Sequence, residues 1–262
     1  IYLDNAATSF PKPPEVERAM VEQLRQCGNP GRGGHRLAAL AERTLEQARV
    51  ALDRLLDGID PRRFVLTLNG TDALHLAIRG VLDAVPGGRA GEGRAHVVTT
   101  LLEHNSVMRP LRLLETQGQI DLEVVPCGPG GVLDAEGVAQ AVRPDTALIA
   151  FTLISNALGT VQPAEAIVER VRARSRALIL VDAAQAVGTR PLSLHRLGAD
   201  LVAFPGHKGL MGPTGTGALW VGPGAQPQVE SDEGARIACV RTGGTGDSRE
   251  PRMPPDLPRR LE

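Results

Sequence analysis

A lysine that directly follows an apolar run is the residue best placed for covalent chemistry in this sequence. The chain has 29 basic residues, but only two are lysines, and one of these is Lys208. It lies between the apolar run 201–204 and the glycine-rich stretch 212–217. A desolvated lysine amine that loses its proton attacks carbonyl carbons and forms a Schiff base. We therefore predict that Lys208 is catalytic; an ordinary surface lysine is the alternative.

Asp182 ends the most apolar run of the chain, residues 177–181. A carboxylate is expensive to desolvate there unless a cation meets it. The pyridinium nitrogen of pyridoxal 5′-phosphate (PLP) is such a cation, because a neighbouring carboxylate keeps the ring protonated and able to accept electrons from a carbanion. A structural ion pair with an arginine is the alternative. Gln185 follows closely enough to donate a hydrogen bond to the phenolate oxygen of the same cofactor.

Residues 69–74 predict a phosphate site at a helix N-terminus. Gly70, Thr71 and Asp72 stand between a β-rich run and an apolar helical segment. The backbone N–H groups of a first helical turn and the Thr71 hydroxyl would stabilise a phosphate there. Ordinary helix capping is the alternative interpretation, and it is favoured when these residues are considered alone.

Two further polar residues support a cofactor site only in combination with those already named. His104 stands at the predicted start of another helix, and its imidazole could cover a flat cofactor ring in a chain with 2% aromatic residues. Asn156 follows a further β-rich run. Taken alone, a capping or partly buried structural role explains His104 better, and the same caution applies to Asn156.

Short β-rich runs, most of them separated by helical segments, must position these side chains. The unbroken apolar run 177–181 is typical of a central strand covered on both faces. The pattern predicts an α/β fold with a mostly parallel, helix-covered sheet. Ligands of such sheets collect beyond the carboxyl ends of the strands. The runs are residues 64–68, 96–100, 122–125, 148–153, 178–181, 201–204 and 218–221.

Two amphipathic helices are predicted before the first of these runs. The first has apolar Val16, Met20 and Leu24 at helical spacing, and the second covers residues 37–55. Because the chain begins at Ile1 and stops after a Pro-rich stretch, we interpret it as a fragment. We predict an N-terminal arm, helix and loop (1–35), a PLP-binding large domain (36–250) and the start of a C-terminal small domain (251–262).

Composition argues against several other classes of protein. With a formal net charge of −1, the chain has little excess positive charge to bind nucleic-acid phosphates, and it has few aromatic rings on which bases could stack. No apolar run approaches the roughly 20 residues that cross a bilayer, so we expect a soluble, cytoplasmic protein without a membrane partner. Cys27, Cys127 and Cys239 are scattered without a CxxC pair, and the histidines lack metal-binding spacing. We therefore assign neither a disulfide framework nor a metal.

The order of these motifs resembles the class V aminotransferase family of fold-type I PLP enzymes, most closely its cysteine desulfurase and selenocysteine lyase branch. The resemblance runs nearly from end to end. It implies the large domain of fold type I, in which helices cover both faces of a mostly parallel sheet. The matching motifs are residues 2–8, 70–72, 103–106, 155–156, 182–185 and 206–208.

This resemblance implies a role for each residue around the cofactor ring. Lys208 would carry PLP as a Schiff base, and Asp182 would meet the pyridinium nitrogen. Gln185 would donate a hydrogen bond to the phenolate oxygen. His104, which we predict to be catalytic beside Lys208, would stack on the ring. Asn156 would lie near the phenolate or the substrate carboxylate.

The same resemblance implies that Thr71 and His207 bind the cofactor phosphate, beside Gly70 and Asp72. It also implies a homodimer whose active site is completed across the interface. The segment 241–245 resembles one that approaches the neighbouring subunit's site.

Two features depart from the family pattern. In the family, the cysteine that attacks the substrate sulfur and the arginine that binds the substrate carboxylate lie in the C-terminal part, which we expect this sequence to lack. None of its cysteines stands in a matching motif. Pro205 also replaces the small hydroxyl residue that helps many desulfurases to hold the phosphate, and proline cannot donate that bond.

We predict a PLP-dependent enzyme that removes sulfur or selenium from L-cysteine or selenocysteine and leaves alanine. Its partners would be the small amino-acid substrate, a second copy of the chain and a protein that accepts sulfur. Another class V activity, such as transamination or a lyase or epimerase reaction, is the second hypothesis, because the same lysine, aspartate and glutamine serve all of these. An inactive PLP-binding fragment is the third.

Overall fold

All the predicted β-rich runs form strands of one sheet. The structure is a computed structural model that describes residues 1–31, 34–85, 94–225, 236–244, 253–254 and 256–262. The strands are β1 (Phe64–Thr67), β2 (Ala95–Thr100), β3 (Ile120–Val125), β4 (Thr146–Thr152), β5 (Leu178–Asp182), β6 (Leu201–Pro205) and β7 (Gly217–Val221). Their spatial order is β1-β7-β6-β5-β4-β2-β3.

One strand of this sheet runs against the others. Strands β3, β2, β4, β5 and β6 pair in parallel, whereas β7 is antiparallel to both of its neighbours, β6 and β1. Therefore β1 has the same direction as β6, and the carboxyl ends of all strands but β7 lie at one edge. The prediction of a mostly parallel sheet is confirmed.

Helices cover both faces of the sheet, as the fold-type I resemblance implies. One apolar layer packs α3 and α4 against the sheet, and the opposite layer packs α5, α6 and α7. The helices are α1 (Pro14–Gln26), α2 (Arg36–Leu55), α3 (Gly70–Ala84), α4 (Asn105–Thr116), α5 (Ala135–Gln140), α6 (Ala164–Arg172) and α7 (Leu194–Leu197).

Strand β5 shows why its apolar run has no alternation. Leu178 and Leu180 belong to the layer of α3 and α4, whereas Ile179 and Val181 belong to the opposite layer. All four are at most 2% exposed. Full burial of such a side chain contributes about 1.5–3 kcal/mol, so β5 anchors the centre of the sheet and holds Asp182 at its end.

Both predicted N-terminal helices are present, but α1 buries none of its residues. Met20 is 48% exposed and Leu24 is 84% exposed, so the apolar stripe of α1 faces outward. The predicted domain boundary at 250/251 lies outside the described residues. Across the described ranges, none of the helices combines the length and apolar character that crossing a membrane requires.

Candidate active site

Lys208, predicted to be catalytic, and Asp182, predicted to bind the cofactor, lie at the sheet edge formed by the carboxyl ends of the parallel strands. Asp182 is the last residue of β5, and its neighbours in register are Ala203 of β6 and Thr152 of β4. Lys208 follows the end of β6. This edge is where ligands of open α/β sheets bind.

Lys208 and Asp182 each change the pKa of the other. Burial lowers the pKa of Lys208 below its ordinary value, and the charge of Asp182 offsets part of that change. Burial raises the pKa of Asp182, while the Ala184 N–H group, Lys208 and His104 act in the opposite direction. An amine with a lowered pKa beside a buried carboxylate is suited to attack on a carbonyl and to later proton transfer.

The side chains of Asn69 and Asp72 cap backbone N–H groups at the start of α3. The Asn69 side chain accepts a hydrogen bond from the Asp72 N–H at 2.8 Å, and Asp72 Oδ2 accepts one from the Leu68 N–H at 3.0 Å. Asp72 also forms an ion pair with Arg241. The structure therefore shows the capping role for Asp72, and its role in binding phosphate stays a prediction.

The loop before α3 packs directly against the end of β6. A Cβ atom on Gly70 would lie 3.2 Å from Cδ and 3.3 Å from N of Pro205, and one on Gly217 would lie 2.6 Å from the backbone carbonyl carbon of Asn69. Glycine at both positions permits this approach. The first turn of α3, whose N–H groups lack intrahelical partners, is thereby held beside the segment 206–208.

A chain of hydrogen bonds joins the predicted phosphate residue Thr71 to His104. Thr71 Oγ1 lies 2.8 Å from Ser106 Oγ, which lies 2.8 Å from His104 Nδ1. The Ser106 N–H donates to the same Nδ1 at 3.1 Å, so His104 caps α4. Because Nδ1 accepts, its hydrogen belongs on Nε2. The capping role of His104 is confirmed, and its exposed ring stays the predicted stacking surface.

His207 carries a buried nitrogen without a partner. Its Nδ1 has no hydrogen bond within the described part of the chain. Burial lowers the pKa of His207, and the positive charges of Lys208 and Lys12 lower it further. Leaving a buried polar nitrogen unpaired costs free energy, and a phosphate oxygen would supply the partner that this nitrogen lacks.

An N-terminal arm, residues 5–12, contacts both segments that carry predicted cofactor ligands. Gln185 Nε2 donates to the Ala6 carbonyl at 3.0 Å, and the Ser9 N–H donates to the His207 carbonyl at 3.0 Å. The Gln185 amide nitrogen retains a second hydrogen, so the contact with the arm leaves a donor for a cofactor oxygen.

Asn156 reaches the same edge but joins none of these contacts. It is exposed in the turn that follows β4. Among the described residues, its side chain has no hydrogen bond to any of the other candidates. Its role stays a prediction.

Glu103 is a half-buried residue whose carboxyl group is buried near Asp182. Its Oε1 accepts from the Thr100 hydroxyl at 2.6 Å and from the Thr152 N–H at 3.0 Å, whereas Oε2 is buried without a partner among the described residues. Burial raises the pKa of Glu103 to about 8; Asp182 acts in the same direction, and the two hydrogen bonds oppose it. Glu103 is therefore mostly a neutral acid at neutral pH.

Replacing Glu103 with Gln is expected to remove a loss of stability that occurs as the pH rises from about 4.5 to about 8. The folded-state pKa of about 8 exceeds the ordinary value of 4.5, so between these pH values the folded protein keeps a proton that the unfolded chain releases. The free energy of unfolding of the wild type therefore falls across this window, by on the order of a few kcal/mol. Gln cannot ionise, so this fall is absent.

Urea unfolding at about pH 5 and about pH 9 measures this difference. Glu46→Gln, at an exposed position of α2, is the matched control and keeps the pH dependence of the wild type. Equal pH dependence in the wild type and Glu103→Gln would contradict the prediction.

Three residues that support the predicted site were not among those predicted from the sequence. Ser106 joins Thr71 to His104, Glu103 is buried near Asp182, and Lys12 contacts the residue before Lys208. Glu103 and Ser106 stood in the motif at 103–106, and Lys12 is the second of the two lysines. The residues themselves were conspicuous in the sequence, but the sequence did not indicate where their side chains point.

Known proteins with sequences similar to this chain include cysteine desulfurases. A probable cysteine desulfurase of Methanothermobacter thermautotrophicus is 38% identical over 231 residues, which cover 88% of this chain and 55% of that protein. The cysteine desulfurase IscS of Acinetobacter baumannii strain AYE is 38% identical over 248 residues, covering 93% and 59%. The chain thus spans little more than half the length of these curated relatives.

Solved structures show the same architecture. The apo cysteine desulfurase of Thermococcus onnurineus NA1 superimposes with a TM-score of 0.85 at 30% identity, covering all of this chain and 62% of that one. A structure described as SspA in complex with cysteine gives a TM-score of 0.80 at 28% identity, covering 93% and 65%. The predicted fold class is confirmed. The family description "Aminotransferase class-V" matches residues 1–253, and the chain therefore belongs to this family.

Proposed function

We propose that this chain binds PLP through Lys208 and removes sulfur from L-cysteine, leaving alanine. The observation that carries the proposal is the Lys208 amine of lowered pKa, electrostatically linked to the buried Asp182 carboxylate at the ligand-binding edge of the sheet. The similarity to proteins named cysteine desulfurases supports the choice of reaction. The complex of SspA with cysteine supports the choice of substrate.

The residues around Asp182 fit the ring of PLP. Asp182 Oδ1 accepts from the Ala184 N–H at 2.9 Å, which leaves Oδ2 to meet the ring nitrogen. A cation at this carboxylate offsets the cost of its burial. Gln185 offers its second N–H to the phenolate oxygen, and the exposed ring of His104 would cover the cofactor.

The other end of the site fits a phosphate. The first turn of α3, the Thr71 hydroxyl and the buried Nδ1 of His207 supply neutral donors. Gly70 holds this turn against Pro205, so the proline contributes packing where a hydroxyl would contribute a hydrogen bond. We propose that Thr71, His207 and backbone amides bind the phosphate.

In this proposal the protein positions the substrate and moves its protons. Bound PLP supplies the electron sink for the carbanion that forms at Cα. The Lys208 amine takes the proton from Cα, and its lowered pKa leaves it available as a base. Asp182 keeps negative charge beside the ring nitrogen. A thiolate acceptor would then form a bond to the substrate sulfur while the Cβ–S bond breaks, which gives a persulfide. Cβ would receive a proton, and Lys208 would return a proton to Cα to give alanine.

The proposal is tested by incubating the purified protein with PLP, L-cysteine and dithiothreitol. We expect alanine and sulfide in equal amounts. Formation of an α-keto acid would replace the proposal with transamination. A second measurement follows exchange of the Cα hydrogen of L-alanine in heavy water, which needs Lys208 and PLP but no sulfur acceptor. Bound PLP with neither exchange nor products would identify an inactive scaffold.

The finer predictions about partners belong to this proposal as well. We propose that selenocysteine is a second substrate, because its Cβ–Se bond undergoes the same chemistry. We also propose a homodimer, a protein sulfur acceptor and a cytoplasmic location. In the segment 241–245, Arg241 pairs with Asp72 of its own chain, and Thr245 lies outside the described residues. Light scattering of the purified protein measures its oligomeric state.

A further inference from the structure

Both lysines of the chain meet at one peptide group. Lys12 Nζ donates a hydrogen bond to the backbone carbonyl oxygen of His207 at 2.9 Å. That oxygen belongs to the peptide that joins His207 to Lys208. The second lysine therefore lies in direct contact with the backbone from which the proposed Schiff-base lysine extends.

The N-terminal arm concentrates donors on this single oxygen. Besides Lys12, the His207 carbonyl accepts from the Ser9 N–H at 3.0 Å, from Ser9 Oγ at 3.1 Å and from Thr8 Oγ1 at 3.1 Å. A carbonyl oxygen has two lone pairs, so donors are in excess. Hydrogen bonds from a charged donor are roughly twice as strong as neutral ones. Lys12 therefore contributes the strongest of the hydrogen bonds to the His207 carbonyl.

The arrangement explains why this position holds lysine in a chain that otherwise uses arginine. An ammonium group has three N–H bonds directed as a tripod. Lys12 Nζ donates to Ser9 Oγ at 2.7 Å and lies 3.4 Å from Thr8 Oγ1, in addition to His207. The planar fork of an arginine does not converge on three such acceptors.

We propose that Lys12 is a positioning residue for Lys208, because it fixes the peptide group from which Lys208 extends and thereby the segment 206–208. This inference rests on the proposed function, in which Lys208 carries PLP. A second consequence concerns charge. Burial and the charge of Lys208 lower the pKa of His207, and the ammonium of Lys12 lowers it further, which favours the neutral form of the ring.

The first test measures PLP affinity, by titrating the visible Schiff-base absorbance of Lys12→Met and wild-type protein. Met keeps the length of the side chain without its charge or its donors. We expect affinity to fall about tenfold, the equivalent of one charge-assisted hydrogen bond. Arg18→Met removes an exposed positive charge from α1 and is the matched control, with affinity unchanged.

The second test follows the pH titration of the His207 ring by NMR in the protein without PLP. The chain has only six histidines, so a His207→Gln variant assigns the signal. Lys12→Met is expected to raise the midpoint, whereas Lys12→Arg restores it and recovers part of the PLP affinity. A merely structural role would not move this midpoint. Wild-type affinity in Lys12→Met, an unchanged midpoint, or no rescue by Arg would each overturn the inference.

Ser9→Ala keeps the inference testable if Lys12→Met does not fold. It removes the hydroxyl that contacts both Lys12 and the His207 carbonyl, and PLP affinity should fall severalfold; unchanged affinity overturns the inference. A wild-type protein without Schiff-base absorbance would instead overturn the proposed function. The His207 midpoints would then still decide whether Lys12 acts on this segment.

Discussion

Lys208→Ala is expected to abolish the visible Schiff-base absorbance with PLP and to reduce turnover of L-cysteine by about 10³-fold or more. The reason is that the other lysine of the sequence, Lys12, is committed to Thr8, Ser9 and the His207 carbonyl. Absorbance spectra of wild-type and variant protein mixed with PLP provide the measurement.

Lys208→Arg is the matched control for charge, since a guanidinium keeps the positive charge but stays protonated and forms no stable Schiff base. It should also lack the absorbance. Borohydride reduction followed by peptide mass spectrometry assigns the attachment, because only two lysines and the N-terminal amine compete. An unchanged covalent absorbance in Lys208→Ala would refute the assignment.

The second large effect is expected for Asp182→Asn, which should lower kcat by about 10²-fold or more. A neutral amide cannot hold a proton on the ring nitrogen, so the cofactor becomes a poorer electron sink. The substitution also removes the charge that raises the pKa of Lys208, so that pKa falls further. Turnover of L-cysteine measures the first consequence, and the pH dependence of the rate of Schiff-base formation with PLP measures the second.

Loss of folding would not explain a loss of activity in Asp182→Asn. Burial raises the pKa of Asp182 in the folded state, so its ionised form lowers stability as pH rises above the unfolded value. Asn removes that cost and should unfold no more easily than the wild type at neutral pH. Asp145→Asn, exposed just before β4 at the opposite edge, is the control. Wild-type kcat in Asp182→Asn would contradict the proposed role.

The sheet and its central residues were predictable because the signals are local. The unbroken apolar run before Asp182 indicates a strand buried on both faces, and the polar residues after each run indicate the ligand edge. Lys208 was conspicuous because lysine is rare in this chain. Local patterns could not give the direction of β7, since a short apolar run is equally compatible with either orientation.

Contacts between distant parts of the chain could not be predicted from the sequence. Lys12 and His207 are separated by 195 residues, and nothing in the sequence around Lys12 indicates which backbone it meets. Glu103 lies next to His104 in the sequence, yet its side chain enters the protein between β2 and β4. Its burial follows from strand packing, which depends on the whole sheet. The same limit applies to α1, whose amphipathic pattern predicts a helix but not what covers it.

The antiparallel strand β7 also restricts the order in which the sheet can form during synthesis. In the described part of the chain, β1 pairs with β7 alone, although more than 140 residues separate Thr67 from Gly217. A growing chain therefore holds β1 without a strand partner until β7 has left the ribosome. Such distant pairing is slow to form. Because Gly217 packs against Asn69, the phosphate site that we propose at the start of α3 would be complete only after β7 has paired, so PLP would bind late in folding.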